Sequence, residues 1–227
     1  MIKDLLFDFG GYATKSGKIT KKGLFYRSKA LNKIDNEDIM LLKKLSIKHI
    51  IDFRPGDYVT LYPDKILNSD YFVYWNFQMV LTPIIIQDYF AKKFSRTDIA
   101  KSYFDLNPGT VRCTFNTIYN AINSEDYNGE AFLFHCNNGR SRAGLICVVL
   151  LILFGVDKQK VIENYASIHD LMTKHVSSPE LFRKDSADMS QVLDYIIEKY
   201  GSIEKYLLSY CRVEKMWIDK IRNLFLI

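Results

Sequence analysis

The sequence predicts an α/β protein with a mostly parallel central sheet and helices on both faces. Short apolar runs typical of buried strands alternate with segments of helical periodicity, which favours this class. The 227 residues are 48% hydrophobic, enough for a sizeable core. No repeat, low-complexity tract or Gly/Ser-rich linker divides the sequence, so we expect one domain over residues 1–227.

Turn, capping and periodicity signals place the elements in order. The first half is predicted to contain a hairpin over residues 10–23, a helix over 35–45, strands over 49–53 and 71–77, and helices over 97–103 and 110–123. The second half is predicted to contain a strand over 131–136, an apolar helix over 145–154, a helix over 157–169, one from Pro179, one over 186–200, and closing helices from Ser202 and over 213–226. Strands that alternate with helices favour parallel pairing through crossover connections.

The most informative stretch runs from His135 to Gly144 and reads HCNNGRSRAG. It lies between a predicted strand and a predicted helix, and such a turn cradles an anion with its N–H groups and with about half a positive charge from the helix N-terminus. A cysteine at the floor of that cradle loses its proton more readily, because the positive potential stabilises the thiolate. An arginine at its rim can grip two phosphate oxygens. Cys136 and Arg142 occupy those two positions, so the stretch predicts nucleophilic attack on phosphorus.

Each residue of this predicted phosphate-binding loop has an expected role. Cys136 is the expected nucleophile and Arg142 the bidentate phosphate ligand, and the reaction passes through a cysteinyl-phosphate that water hydrolyses. Backbone N–H groups and Arg142 supply the charge that a metal ion supplies elsewhere, so no metal or other cofactor is expected. The other residues are expected to shape the loop and contact substrate: His135, Asn137, Asn138, Gly139, Arg140, Ser141, Ala143 and Gly144.

The stretch resembles the active-site signature of the cysteine-dependent protein tyrosine phosphatase superfamily. Three flanking segments resemble the bacterial tyrosine and lipid phosphatase branch: FDFGGYATKSGKITKKGLFYRSKAL at 7–31, KKLSIKHIIDFRPGDY at 43–58 and YGSIEKYL at 200–207. The resemblance covers nearly the whole chain in order. It implies a tyrosine phosphatase-like fold with the phosphate-binding loop between a strand and a helix. It also implies a tyrosine or dual-specificity phosphatase acting on phosphotyrosine or phosphoinositide.

The sequence departs from this family's pattern in three places. Ala143 stands where the family usually has a serine or threonine that bonds the departing thiolate, which predicts slow breakdown of the intermediate. Ser141 stands where related bacterial enzymes often carry an aspartate, and the acidic residues expected after the aromatic strand are replaced by NFQM at 76–79. The general acid is therefore not visible, although its loss would cost about 10²–10⁴ in rate. By position the candidates are Asp105 and Asp88, followed by Asp98.

Two arginines leave a structural and a functional interpretation open. Arg54 ends the sequence DFR at a strand end, and it either faces the site or forms a buried ion pair. Arg27, beside Ser28, has the same ambiguity. Arg140 lies where relatives that accept phosphoinositides often carry a lysine, and it is a candidate ligand for a second phosphate.

The net charge and the cysteine content limit which partners and which cellular compartment we expect. The net charge is +5, and seven cations without an intervening acid occupy residues 15–33, either as a solvated basic loop or as a positive rim for a polyanion. Four cysteines show no metal or disulfide spacing, and a reduced nucleophile fits the cytoplasm. The N-terminus lacks a signal core and no apolar run reaches membrane-span length, although export by another route stays open. We expect a monomer with no nucleic-acid partner.

Four functions are compatible with these features to different degrees. The first is a phosphatase for phosphotyrosine or phosphoinositide. The second is an inositol polyphosphate phosphatase, favoured by Arg140 and the basic segment. The third is a phosphate-binding module with little turnover, favoured by Ala143 and the missing acid. The fourth, a sulfur or arsenate redox enzyme, is disfavoured by the His-Cys pair and the glycine and arginine spacing.

Overall fold

A computed structural model describes residue 2 and residues 6–172 and 179–227, with the side chains of residues 168–172 and 179–185 left out of the description. Five strands form one sheet in the order β1-β2-β5-β3-β4. The strands are β1 (Phe7–Asp8), β2 (Phe25–Ser28), β3 (Ile47–Asp52), β4 (Val73–Asn76) and β5 (Ala131–His135). β1 pairs antiparallel with β2, and all other pairings are parallel. The predicted α/β class and mostly parallel sheet are therefore confirmed.

Ten helices connect and cover these strands in the described part of the chain. The first five are α1 (Asn36–Lys44), α2 (Gly56–Leu61), α3 (Pro83–Phe90), α4 (Arg96–Leu106) and α5 (Pro108–Ile122). The others are α6 (Ser141–Leu153), α7 (Lys158–Met172), α8 (Pro179–Tyr200), α9 (Ile203–Lys205) and α10 (Lys215–Phe225), with a π-helical turn over Tyr206–Tyr210 after α9. None of the helices described is both long and apolar enough to cross a membrane.

Alternation along β5 divides the core between the two faces of the sheet. Phe132 and Phe134 belong to the larger core, which is built mainly with helices α4 to α10. Ala131 and Leu133 belong to a smaller core with α1 and the segment before β4. All five residues of β5 are buried, as expected of a central parallel strand covered on both faces. Helices lie on both faces, in agreement with the prediction.

Local signals placed most elements to within a few residues, and the errors have clear causes. The N-cap of α1 is Asp35, whose side chain accepts from the backbone N–H of Asp38. The two helices predicted from Pro179 and over 186–200 are one helix, α8, so that prediction was wrong. Four elements were missed: β1, β2, α2 and α3. β2 has all four residues buried although two are polar, and α3 buries none, so neither shows the expected alternation.

The sheet topology separates the basic segment at residues 15–33 into two parts. β2 and β5 are parallel, so the residues after β2 lie at the same edge of the sheet as those after β5. The residues before β2 lie at the opposite edge. There Lys15 N–H donates to Gly155, beyond the C-terminal end of α6, and Lys21 N–H donates to Phe225. Of the lysines in this segment, Lys29 and Lys33 are therefore the two on the side of the predicted phosphate-binding loop.

Candidate active site

Cys136 lies directly after β5 at the floor of a tight loop and is only 2% exposed. Gly139 has a φ of +63°, and a Cβ at that position would come within 2.3 Å of the carbonyl oxygen of Ser28. Only glycine combines that backbone angle with that close approach. α6 begins at Ser141, so the loop is closed by a helix N-terminus, as the sequence predicted. The arrangement is a strand, a turn and a helix around one thiol.

The loop is anchored to the residues that follow β2 and β3, the two strands that flank β5. The N–H of Phe53 donates to the carbonyl oxygen of His135 at 3.0 Å. Arg142 Nη1 donates to the carbonyl oxygen of Phe53 at 3.2 Å. On the other side, Ala30 N–H donates to the carbonyl oxygen of Asn137 at 3.2 Å. These bonds fix the loop before any ligand arrives, which is the preorganisation that anion stabilisation requires.

A buried ionic cluster lies beneath the loop on the smaller-core side of the sheet. Arg54 binds two carboxylates, with Nη2 at 2.8 Å from Asp52 and 2.7 Å from Asp64. His135 lies beside both, with Nε2 at 3.2 Å from Asp64 and Nδ1 at 3.7 Å from Asp52. All four side chains are fully buried. Arg54 therefore forms a structural ion pair and does not face the site.

The same cluster offers three side chains that could bind a metal, but Arg54 already supplies a cation there. Asp52, Asp64 and His135 bring ligand atoms within 4.8 Å of one another. The guanidinium of Arg54 bonds both carboxylates and supplies the balancing charge. Burial alone would raise the pKa of Asp52, but the charges of His135 and Arg54 and the hydrogen bonds from Arg54 hold it below its usual value. This chemistry favours an ion pair over a metal centre.

Arg27 supports the start of α6 from the larger-core side. It is fully buried, its Nη2 donates to the carbonyl oxygen of Asn164 at 3.2 Å, and its guanidinium lies 5.7 Å from the ring of Phe7. A Cβ on Gly144 would come within 2.8 Å of Arg27 Nη1 and of the Tyr165 ring. Gly144 therefore permits the close packing that the sequence predicted, and the role of Arg27 is structural.

Two cavities flank the loop and share Asn138. The first, which we call the acid-side cavity, has a volume of about 290 Å³ and is lined by Tyr103, Asn138, Arg140, Ser141 and Asp188 among others. The second, which we call the lysine-side cleft, has a volume of about 340 Å³ and is lined by Lys29, Ala30, Asn32, Lys33, Tyr58, Tyr62, Asn137 and Asn138. The predicted loop residues from 137 to 141 are thus divided between two different surroundings.

Tyr103 links the acid-side cavity to the nucleophile. Burial raises the pKa of its hydroxyl, the charge of Arg142 lowers it and that of Cys136 raises it. The same ring lines the cavity beside Ser141. The cavity therefore borders the loop at Asn138, Arg140 and Ser141.

Asp105, one of the two preferred general-acid candidates, is a structural residue. Its carboxylate accepts hydrogen bonds from Tyr195 and Tyr200, each at 2.6 Å, and from Lys199 at 2.7 Å. Burial would raise its pKa, but these bonds and the lysine charge outweigh it and lower the pKa. A carboxylate held in its ionised form cannot serve as a proton donor. The structure therefore argues against Asp105.

The other carboxylates predicted from position have mixed surroundings. Asp98 belongs to the capping box of α4, and the hydrogen bonds from Ser95 lower its pKa. Asp88 pairs with Lys93 at 3.1 Å on α3, next to Tyr89, which lines the acid-side cavity. Neither carboxylate is among the residues that line either cavity.

Asp188 is a carboxylate that the sequence analysis missed. It lines the acid-side cavity with Ser141, Oδ1 accepts from Thr97 at 2.9 Å, and Oδ2 is buried without a hydrogen-bond partner. No local pattern marks it, because it follows Cys136 by more than fifty residues and lies in the middle of α8. The contact between α8 and α4 brings it to the loop.

The remaining cysteines differ from Cys136 in their surroundings. Burial raises the pKa of both Cys147 and Cys211 to about 12. Cys113 is exposed. Ala143 is fully buried in the same core cluster as Cys136, where a hydroxyl would find few partners other than the thiol. Cys136 is therefore the one thiol of the four that lies in the predicted phosphate-binding loop.

Comparisons with known proteins found one sequence family, curated relatives and solved structures that resemble this chain. The sequence profile described as the tyrosine phosphatase family matches residues 7–227. A tyrosine-protein phosphatase of Nostoc commune is 29% identical over 157 residues, covering 69% of this chain and 52% of that protein, so the chain spans about half the length of that relative. Two solved structures have a similar fold. TpbA of P. aeruginosa has a TM-score of 0.45 at 16% identity, covering 85% of this chain and 89% of its own. The catalytic core of SIW14 from S. cerevisiae has a TM-score of 0.38 at 14% identity, covering 87% and 93%.

Proposed function

The chain belongs to the tyrosine phosphatase family, and we propose that it hydrolyses phosphate monoesters through a cysteinyl-phosphate intermediate on Cys136. One observation carries the proposal. The thiol of Cys136 lies at the floor of a loop that is fixed to two strand ends, is closed by a helix N-terminus, and includes Arg142. Such a loop stabilises the charge of a transferring phosphoryl group without a metal ion.

In the first step the Cys136 thiolate attacks phosphorus. The S–P bond forms, the bond from phosphorus to the ester oxygen breaks, and the leaving oxygen takes a proton from a general acid. In the second step water attacks phosphorus, the S–P bond breaks, and the same carboxylate accepts the proton of the water. Inorganic phosphate leaves and the thiolate is restored. Arg142 and the loop N–H groups bind the equatorial oxygens throughout.

We infer that Asp188 is the general acid of this mechanism. It lines the cavity that opens beside Ser141, the position where related enzymes carry an aspartate. The hydrogen bond from Thr97 to Oδ1 orients the carboxyl group and leaves Oδ2 to carry the proton. Geometric access to the leaving group is the first requirement for a general acid, and of the aspartates considered Asp188 satisfies it best. Thr97 acts as a positioning residue.

A phosphate-release assay tests the proposed function. The substrates are a phosphotyrosine peptide, a phosphoinositide in micelles and a set of inositol phosphates, with the Cys136→Ser variant as the blank. We expect turnover of at least one substrate class that disappears in the variant. Retained phosphate binding without turnover of any ester would contradict the proposal and support the second candidate, a phosphate-binding module, which the buried Ala143 favours.

A further inference from the structure

The lysine-side cleft is a cationic recess on the flank of the loop opposite Asp188. Lys29, Ala30, Asn32 and Lys33 come from the segment after β2, and Tyr58 and Tyr62 come from α2 and its C-terminal cap. Two hydrogen bonds join the chain segments that adjoin these two walls: Leu31 N–H donates to Asp64 Oδ1 at 2.8 Å, and Lys65 N–H donates to the carbonyl oxygen of Leu31 at 3.2 Å. The recess is therefore formed before any ligand binds.

The charge of the cleft is uncompensated by its own lining. None of its lining residues is acidic. Neither Lys29 nor Lys33 forms an ion pair within the part of the chain that the structure describes. Lys29 is half-buried and lines the cleft beside Lys33. An anionic ligand would balance the charge of the two lysines.

The neutral groups of the cleft fit the same kind of ligand. Asn137 Nδ2 lies 3.4 Å from the hydroxyl of Tyr58, and the rings of Tyr58 and Tyr62 are 5.1 Å apart. Amide and hydroxyl donors complement the two ammonium groups, and the paired rings provide an apolar wall for a compact scaffold. A volume of about 340 Å³ is at the small end of ligand pockets, so the cleft suits a small molecule better than a peptide chain.

We propose that the lysine-side cleft is a second anion subsite, which binds another phosphate of a small polyphosphorylated substrate while the Cys136 loop binds the phosphate to be removed. Asn137 and Asn138 belong to both the loop and the cleft, so one compact molecule can span them. The proposal rests on the proposed function for its catalytic readout, but binding can be measured without turnover. The polyphosphate can be free or be the headgroup of a lipid, since both present the same chemistry.

The test compares two charge-matched double variants. Lys29→Ala with Lys33→Ala removes two charges at the cleft, and Lys15→Ala with Lys18→Ala removes two at the opposite edge of the sheet. The opposite edge lies roughly 20 Å from the loop, the length of the thirteen-residue α6. That separation exceeds the Debye length of about 8 Å at physiological salt, so the control lysines should not act on the site.

The first readout is the ratio of kcat/KM for an inositol bisphosphate to that for an inositol monophosphate. We expect the ratio to fall at least about tenfold in the cleft variant, since hydrogen bonds to charged groups contribute that much, and to change less than about twofold in the control. Lys33→Glu alone should lower it as well, because Lys33 is exposed and its replacement disturbs no packing. An equal fall in both double variants would indicate long-range attraction and overturn the subsite.

The second readout is binding of inositol hexakisphosphate to the Cys136→Ser variant by calorimetry. Affinity that depends on Lys29 and Lys33 but not on Lys15 and Lys18 supports the subsite even if no ester is turned over. Catalysis without such dependence would leave the proposed function standing and reject the subsite. Vesicles that carry a phosphoinositide, compared with the free headgroup, separate the lipid from the soluble source. A cleft dependence seen only with phosphotyrosine peptides that have acidic flanks would overturn the assignment to a small molecule.

Discussion

The two flanks of the predicted phosphate-binding loop differ in whether they contain a carboxylate. The lysine-side cleft contains Lys29, Lys33 and neutral polar groups but no carboxylate among its lining residues. The acid-side cavity contains Arg96 and Arg140 and also Asp188. Asn138 borders both. From this difference we expect three separate roles. The loop binds the phosphate that is transferred, the lysine-side cleft binds the rest of the substrate, and Asp188 in the acid-side cavity protonates the leaving group.

We expect the largest loss of activity on one flank from the Asp188→Asn substitution in the acid-side cavity. Loss of a general acid costs about 10²–10⁴ in rate when the leaving group is poor and little when it is good. The phosphotyrosine and alkyl phosphate rates should therefore fall by that factor, and the para-nitrophenyl phosphate rate should fall far less. A plot of log kcat/KM against leaving-group pKa measures this as a steeper slope. The Asp105→Asn variant is the matched control, because it removes an aspartate that lies outside both cavities. Equal slopes for the two variants would exclude Asp188 as the acid.

The Arg142→Lys variant tests the loop that lies between the two flanks. Lysine keeps the charge but cannot bind two oxygens in a fork, so about 2–4 kcal/mol of transition-state stabilisation should be lost. The loss should be similar for monophosphates and polyphosphates, since the residue contacts only the transferred group. Steady-state kinetics on both substrate types checks this, with thermal unfolding as the control for the fold. Near-normal turnover would show that Arg142 is not the phosphate ligand.

A smaller effect is expected where Ala143 replaces the usual hydroxyl. If breakdown of the cysteinyl-phosphate limits turnover, rapid mixing with an activated aryl phosphate should release a burst of phenol close to one equivalent of enzyme. Ala143→Ser should speed the slow phase by roughly threefold to tenfold, the net value of one hydrogen bond, and leave the burst rate unchanged. Absence of a burst, together with no response to the substitution, would show that another step is limiting.

The smallest expected effect is on the free energy of unfolding, at Asp105, which lies outside both cavities. Asp105→Asn should lower the free energy of unfolding at neutral pH by about 1–2 kcal/mol, a modest value because Lys199 is partly exposed. The pKa of Asp105 is lowered in the folded protein from its ordinary value of 3.8, so its stabilisation is complete above that pH and is lost as the pH falls through the folded-state value. Urea unfolding from pH 7 to pH 2.5 should show the two proteins converging in acid. A constant difference at all pH values would contradict this account.

Local pattern predicted those features whose residues are neighbours along the chain. It placed Cys136 and Arg142 on one strand–turn–helix unit, which the structure confirms, while their catalytic roles stay predictions. The start of α1 was predicted to within one residue for the same reason. Elements with strong local signals were therefore found, whereas β2, with buried polar residues, and α3, which buries none of its residues, were not.

Long-range packing determined what the sequence could not reveal. Asp105 accepts hydrogen bonds from Tyr195, Lys199 and Tyr200, which follow it by some ninety residues. These bonds hold it in a structural role and not in that of an acid. Asp188 reaches the loop through the contact between α8 and α4. The direction of β2 divides one run of lysines between opposite edges of the sheet. None of these outcomes has a signature within a short window of sequence.

The most direct test of the account is to trap the intermediate on Cys136. The enzyme is mixed with an activated aryl phosphate, quenched in acid within the burst phase and digested, and the peptides are examined by mass spectrometry. We expect one added phosphoryl group on the peptide that contains Cys136 and none on the peptides that contain Cys113, Cys147 or Cys211. Ala143→Ser should lower the trapped fraction. Turnover with the phosphoryl group on a different residue, or with no phosphorylated peptide during a burst, would contradict nucleophilic catalysis by Cys136.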